Sequence, residues 1–280
     1  MSAGVLVLIG TPIGNLADLS PRAIEALGVA DVLACEDTRR TGRLLAHIGV
    51  RVPVLIVMND HTEREVIAGL INRLAAGQRV AVVSDAGMPG ISDPGERLVA
   101  AARLAGHRVE VIPGPSAAVT ALVGSGLPAG RFVFEGFLPR KGSGRGERLR
   151  ELATEQRTVL LYEAPHRLQR TLADLAEVCG ADREIVFARE LTKLHEEFWR
   201  GSLGAAIERC AEVEPRGEYV LVLGGAPPPV EVDDAALLDA LGIARAGGAT
   251  TRDAVTQVAA QFGAAKRRVY DLATGQEERA

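Results

Sequence analysis

The chain has 280 residues, 47% hydrophobic and 24% charged, and 32 Lys and Arg against 36 Asp and Glu give a formal net charge of −4. At roughly 100–200 residues per domain, this length suggests about two domains, and the composition excludes wholesale disorder. The acidic balance excludes a generally basic nucleic-acid coat, so any RNA contact must come from local patches.

In chain order, residues 5–9 are an apolar run of strand length that ends in Gly10-Thr11-Pro12-Ile13-Gly14-Asn15. Ser20 followed by Pro21 reads as an N-cap with proline at the first helical position, opening a helix through Leu27. Residues 32–35 form a second strand, ending in Glu36-Asp37-Thr38-Arg39-Arg40. Between 64 and 76, Val66, Ile67, Leu70, Ile71 and Leu74 fall at helical spacing, with Thr62 and Glu65 as a capping box and Gly77 as the stop. Residues 80–83 suit a strand covered on both faces, and a helix over 95–104, a strand over 109–112 and a helix after Pro115 follow. This alternation predicts a mostly parallel α/β domain over 1–125.

A second domain is expected over 126–225, with strands at 132–134, 158–162, 184–188, 197–200 and 218–223. Leu168, Leu172, Leu175 and Val178 mark one helical face, and the mixture of crossovers and adjacent strands suggests α+β with a mixed sheet. Gly224-Gly225-Ala226-Pro227-Pro228-Pro229 reads as a linker to a helical tail over 233–280. Within the tail, residues 256–272 read as helix, glycine-containing turn, helix, with Val255, Val258, Ala259, Phe262, Val269 and Leu272 as its core.

Three glycine- and proline-rich turns, at 10–15, 84–95 and 113–116, follow strands of the first domain. Ligands of open α/β sheets bind beyond the carboxyl ends of the strands, so three such turns predict a small-molecule site. The G-x-G-x-x-G and P-loop patterns are both absent, which argues against polyphosphate. Asp85 and Asp93 suit a ligand with hydroxyls or an ammonium, such as an adenosine carrying an amino acid. The cationic stretch at 140–150 reads as a flexible loop in which Arg140, Lys141, Arg145 and Arg148 grip an RNA backbone, extended by Arg39, Arg40 and Arg43. Lys266, Arg267 and Arg268 open the second tail helix, where RNA backbone contact rather than duplex DNA reading is expected. Solvated surface charge competes with both assignments.

Cys35, Cys179 and Cys210 are far apart and form no Cys-x-x-Cys pair, which excludes a disulfide scaffold and points to a reduced, cytoplasmic chain. No H-E-x-x-H spacing occurs, so no metal is expected, and no apolar stretch reaches ~18 residues, so no membrane span is expected. His61 and His166 stand near the predicted ligand edge, whereas His47, His107 and His195 have no evident partner.

Gly10-Thr11-Pro12-Ile13-Gly14-Asn15-Leu16, Ser84-Asp85-Ala86-Gly87, Asp93-Pro94-Gly95, Pro113-Gly114-Pro115-Ser116-Ala117 and Glu135-Gly136-Phe137-Leu138-Pro139 together resemble the tetrapyrrole-methylase-like (class III) methyltransferases. Glu36-Asp37-Thr38-Arg39 and Ala188-Arg189-Glu190-Leu191-Thr192-Lys193 point to one branch, the 16S ribosomal RNA (cytidine 2′-O)-methyltransferases of the small subunit methyltransferase I family. The resemblance implies a two-domain α/β enzyme, usually a homodimer, that binds S-adenosylmethionine between its domains. The implied substrate is a decoding-centre cytidine of 16S rRNA, within the 30S subunit, methylated at its ribose 2′-oxygen. Carried onto this chain, the cofactor residues are Asp85, Ala86, Gly87, Ile91, Ser92 and Asp93, then Ser116 and Ala117, with Tyr162, Glu163 and Leu191 from the second domain. Pro12 joins them from the first turn. The pattern departs at Met88-Pro89-Gly90, where relatives carry Thr-Pro and a larger residue, so contact at 88 is expected from backbone.

A ribose 2′-hydroxyl is a poor nucleophile, so methyl transfer needs proton removal or stabilisation of the developing alkoxide. Asp37 or Glu36 is expected to orient an Arg, with Arg39 or Lys193 facing the ribose and its phosphate. Lys193 serves as a base only if its pKa is depressed, and otherwise as an electrostatic stabiliser. An inter-domain ion network is the competing reading. A precorrin-like tetrapyrrole methyltransferase of the same fold and a non-catalytic nucleic-acid-binding protein are the alternative functions. The basic stretch and the tail argue against the first, and the three converging turns against the second.

Overall fold

The computed structural model describes residues 4–228 and 233–277. The last proline of the linker triplet, Pro229, and the chain ends lie outside the described residues. Five strands of the first half, β1 (Val5–Ile9), β2 (Val32–Cys35), β3 (Val54–Val57), β4 (Arg79–Val82) and β5 (Arg108–Ile112), pair in parallel in the order β3-β2-β4-β1-β5. Successive side chains of a strand point to opposite faces. Val7, Ile9 and Leu33 therefore pack beneath α1 (Pro21–Gly28) and α2 (Thr38–Ile48), whereas Leu6, Leu8 and Val32 pack beneath α3 (Glu63–Ala75) and α4 (Glu96–Leu104). Both faces are covered, which is why these strands read as unbroken apolar runs.

α2 and β3 are additions to the elements expected from sequence. α2 hides only Thr41 and Leu45 and turns Arg39, Arg40 and Arg43 outward, so its apolar signal is sparse. β3 is a sheet-edge strand with Leu55 and Val57 exposed. Asp37 caps α2 by accepting from the Arg39 amide at 2.8 Å, and Ser20 caps α1 as expected, accepting from the Ala23 amide at 3.2 Å. The expected capping box at Thr62 does not form. Asn59 accepts from the His61 and Thr62 amides instead, at 3.0 and 3.1 Å, and Thr62 caps nothing through its side chain.

The second sheet contains β6 (Phe132–Phe137), β7 (Thr158–Glu163), β8 (Glu184–Arg189), β9 (Glu197–Ser202) and β10 (Tyr219–Leu223), in the order β6-β7-β10-β8-β9. Only β6 and β7 run parallel, giving the mixed sheet expected. One face packs against α6 (Ser143–Thr154), α7 (Pro165–Cys179) and α8 (Leu203–Glu212). The other packs against α5 (Ala117–Ser125), through Ala118, Ala121 and Leu122. α5 leaves the first sheet after β5 and covers the second, so it joins the two sheets into one compact unit reaching Ala226.

The glycine-rich cationic stretch is not a flexible loop, because most of it is the helix α6. Arg145 is buried there and is removed from the candidate RNA contacts. Its guanidinium donates to Asp174 at 2.8 Å, to the Pro139 carbonyl at 2.9 Å and to Thr171 at 3.1 Å. Thr171 in turn donates to Glu163 at 2.5 Å, and Glu163 pairs with Arg167 at 3.1 Å. The buried side chains of Arg145, Thr171 and Glu163 thus tie α6 to the end of β7.

The second unit, from Pro227 onward, has its own core. α9 (Asp234–Ala246), α10 (Thr251–Phe262) and α11 (Lys266–Glu277) close over Leu237, Leu241, Val255, Val258 and Val269, and Gly263 turns the chain at φ 62°. Among the described residues, no helix is long and apolar enough to cross a membrane.

Removing Arg145 leaves Thr171 and the Pro139 carbonyl without their donor and Asp174 with only the longer pair to Arg170 at 3.9 Å. Arg145→Met is expected to lower stability by about 2–3 kcal/mol. Denaturant unfolding checks this, as a lower midpoint at unchanged m-value.

Candidate active site

The turns after β1, β4 and β5 meet through glycines. A Cβ on Gly10 would lie 2.6 Å from the Gly114 Cα, so only glycine lets these two turns touch. Thr11 and Gly87 exchange backbone hydrogen bonds at 2.9 and 3.1 Å, with Gly87 at φ 81°. The Thr11 hydroxyl donates to the Ser84 carbonyl at 3.2 Å. The first lobe therefore presents one joined rim.

Between this rim and the second sheet lies a cleft of about 500 Å³. The structure brings ten of the residues expected at the cofactor to its wall: Ala86, Gly87, Ile91, Ser92, Asp93, Ser116, Ala117, Tyr162, Glu163 and Leu191. Asp85 and Pro12 are separated from them and line a neighbouring recess of about 440 Å³. Glu163 borders the cleft, but its carboxylate is 1% exposed and held by Thr171, Arg167 and the Ala164 amide, so it offers no free acceptor to a ligand. Met88 lines the cleft, and sequence reasoning missed Phe137, Glu218 and Tyr219 as wall residues. Phe137 was legible as part of Glu135-Gly136-Phe137-Leu138-Pro139, whereas Glu218 and Tyr219 reach the cleft only because β10 pairs between β7 and β8. His166 lies on the wall and His61 does not.

One wall is aromatic. Tyr162 meets Phe134 and Phe137 edge-on, with ring centroids 5.1 and 5.5 Å apart. The opposite rim is acidic. Burial pushes the Asp93 carboxyl up to about 7, Glu36, Asp85 and Asp60 add to the rise, and the Ser84 hydroxyl opposes it. Burial also pushes Glu36 up, against the Asp85 amide that donates to it at 3.0 Å. Burial raises Asp85 in the same way, with Arg40 opposing. Carboxyls raised by burial favour a cationic ligand, whose charge would stabilise the carboxylate form. An apolar and aromatic cleft of this size with a few polar groups fits a nucleoside-bearing cation.

Lys193 lies on the second-lobe wall, with Nζ 2.8 Å from Glu190 and 2.7 Å from Glu218. Burial opposes its charge, but these two hydrogen bonds prevail and hold the ammonium above its ordinary value. The condition for Lys193 to act as a base is therefore not met. The turn after β1 rests on this loop: a Cβ on Gly14 would meet Lys193 Cγ at 2.5 Å and the Leu191 carbonyl at 3.0 Å. Among the described residues, Ser92, Glu190 and Thr192, at φ 60°, 50° and 66°, are the non-glycine residues with left-handed backbone, and all three belong to the two loops of this region. Asp37 does orient Arg39, which donates to it through Nε at 3.1 Å and Nη2 at 2.7 Å, and these bonds hold the carboxyl well below its usual range. Among the described residues, no hydrogen bond or ion pair joins the 36–39 segment to Lys193.

Of the other candidate RNA contacts, Arg140 and Lys141 are exposed, and Arg148 is exposed but paired with Glu135 at 3.0 Å and Glu151 at 2.8 Å. In the helical unit, Lys266 and Arg267 are exposed, and Arg268 pairs with Asp234 at 2.7 Å.

Comparison with known proteins agrees with this architecture. Residues 5–207 match the family of tetrapyrrole (corrin/porphyrin) methylases. A ribosomal RNA small subunit methyltransferase I from Synechocystis is 48% identical over 96% of this chain and 97% of its own length. One from Mycobacterium tuberculosis is 46% identical over 97% and 95%. Among solved structures, the methyltransferase CobJ superposes with a TM-score of 0.62 at 25% identity, over 80% of this chain and 95% of its own. With its whole length so matched, the chain belongs to the tetrapyrrole methylase family and, within it, to the ribosomal RNA small subunit methyltransferase I group.

Proposed function

We propose that the protein transfers the methyl group of S-adenosylmethionine to the ribose 2′-oxygen of a cytidine in 16S rRNA, acting on the 30S subunit in the cytoplasm. Methyl transfer to small-subunit rRNA is what the names of its nearly full-length relatives state. The observation that carries the chemistry is the cleft itself, with the half-buried Asp93 on one side and aromatic rings on the other. When bound, the sulfonium supplies an activated methyl and a neutral leaving group.

The protein's share is positioning and electrostatics. The main chain at Ala86 and Gly87, with Asp93 and Ser116, holds the amino-acid and ribose parts of the cofactor. Tyr162, Phe137 and Leu191 cover the adenine. The 2′-hydroxyl must shed a proton as the new C–O bond forms. Lys193, kept charged, stabilises the developing alkoxide rather than taking that proton. Arg39, fixed by Asp37, meets the neighbouring phosphate, and Glu36 fixes the main chain at Asp85. Arg140 and Lys141, with Lys266 and Arg267 of the helical unit, supply further backbone contacts. A homodimer is part of this reading, and Val119, Val123 and Phe132 offer exposed apolar surface for it.

Labelled S-adenosylmethionine incubated with 30S particles, naked 16S RNA or a tetrapyrrole precursor tests the substrate. Label on one ribose of the particle supports the proposal, and label only on the macrocycle overturns it. Lys193→Met is expected to lower the single-turnover rate roughly 10²-fold while leaving cofactor affinity nearly unchanged, as for loss of one stabilising donor.

The raised Asp93 pKa sets a pH dependence. A cationic ligand favours the carboxylate, so cofactor affinity should rise as the pH passes upward through about 7, with proton release on binding. In the free protein the sign for stability is opposite, since a raised carboxyl stabilises at low pH and this is lost as the pH rises through about 7. Calorimetry across that interval checks both, and Asp93→Asn is expected to flatten them.

A chain ended after Ala226 keeps both sheets and their cores. It is expected to bind cofactor normally and RNA more weakly, with a shallower salt dependence as cationic contacts are lost. Titrations of RNA at two salt concentrations measure the slope.

A further inference from the structure

The recess beside the main cleft has its own chemistry. It is walled by Pro12, Leu16 and Leu44, rimmed by Arg40 and Arg43, and floored in part by Asp85. Asp85 is followed directly by Ala86, which lines the main cleft, and consecutive Cα atoms are ~3.8 Å apart. The 84–87 segment thus contributes to the walls of both cavities.

Asp85 is under-satisfied. Its side chain is 23% exposed; Oδ1 is buried with no hydrogen-bond partner, and Oδ2, the oxygen toward the recess, meets Arg40 only at 3.4 Å. A carboxylate can accept about four hydrogen bonds, and burying one with acceptors unused is costly unless a ligand supplies donors. Arg40 and Arg43 stand one turn apart on α2, and Arg43 makes no ion pair among the described residues. Apolar walls, an acceptor and two guanidinium groups are the complement of one nucleotide: base faces, a base edge that donates, and a phosphate.

We propose that this recess holds the base of the target cytidine, whose exocyclic amine donates to Asp85 while its phosphate lies against Arg40 and Arg43. The proposal rests on the 2′-O reading above. Asp85 is then the residue that selects cytosine, because uracil presents a carbonyl oxygen where cytosine presents the amine. Glu36 is a positioning residue for it, since its carboxylate accepts from the Asp85 amide and fixes the main chain there. This assigns Asp85 to the substrate rather than to the cofactor.

The test uses the full-length protein, 30S particles carrying the natural target cytidine, and particles in which that position is uridine. The wild type is expected to methylate the cytidine particle at least about tenfold more efficiently, and Asp85→Asn to reduce that ratio by about tenfold at unchanged S-adenosylmethionine affinity, the worth of one good base contact. A wild type indifferent to the base, or an Asp85→Asn variant with the ratio intact, overturns the proposal. Reduced cofactor affinity with the ratio intact does so too, and returns Asp85 to the cofactor site. If the wild type places no methyl on any 2′-oxygen, the reading of the function has failed, and the proposal falls with it. Should Asp85→Asn not fold, Arg43→Ser probes the same recess from its exposed rim. KM for the particle should rise several-fold with kcat held, and an unchanged KM overturns the proposal.

Discussion

The close approach of Gly10 and Gly114 is the contact on which the site depends. The turns that follow β1 and β5, neighbours in the sheet, can touch only because neither residue carries a Cβ. With those turns in contact, Thr11 reaches the backbone of Gly87 and the Ser84 carbonyl, and the long loop after β4 is pinned beside them. A sheet edge that would otherwise end in three independent loops ends in one rim. The cleft is then shaped by backbone, and backbone is set by the sheet rather than by side-chain rotamers. Such a rim can hold a ligand with little reorganisation on binding.

Charge is sorted across this frame. In the first lobe burial raises Glu36, Asp85 and Asp93, and the charges of Glu36 and Asp85 raise Asp93 further. The second lobe answers with Lys193, which is itself secured by two carboxylates. The second lobe's charge is thus already satisfied, whereas in the first lobe Asp85 Oδ1 has no hydrogen-bond partner and Oδ2 meets Arg40 only at 3.4 Å. These are the features of a site organised for charged ligands, and they coincide with the left-handed backbone at Ser92, Glu190 and Thr192.

Much of this was legible in the amino-acid order. The parallel sheet was readable because both its faces are buried, and the three ligand turns because glycine and proline punctuate them. Three things were not legible, each for a physical reason. α2 exposes its arginines and hides only two residues, so no apolar stripe announces it. Arg145 sits in a glycine-rich cationic run that resembles a solvated loop, and only the tertiary position of Asp174 and Thr171, one turn apart on α7, turns it into a buried anchor. Pro12 and Asp85 belong to the same turns as the cleft residues, and sequence spacing cannot tell that the bridge between Thr11 and Gly87 leaves them on another surface.

The state of Lys193 constrains where the proton goes. A lysine that accepts a proton must first be neutral, and here neutralising it would leave the carboxylates of Glu190 and Glu218 without their shared donor. Glu190 is further fixed by accepting from the Glu218 amide at 3.0 Å, so it cannot swing away to make neutrality cheaper. The loop therefore holds positive charge at the cleft wall whatever the substrate does. In the proposed reaction, positive charge beside the ribose lowers the pKa of its hydroxyl, so that solvent water suffices to accept the proton. Lys193 would then aid the reaction without taking part in proton transfer, and the carboxylates that keep it charged would matter as much as the lysine itself.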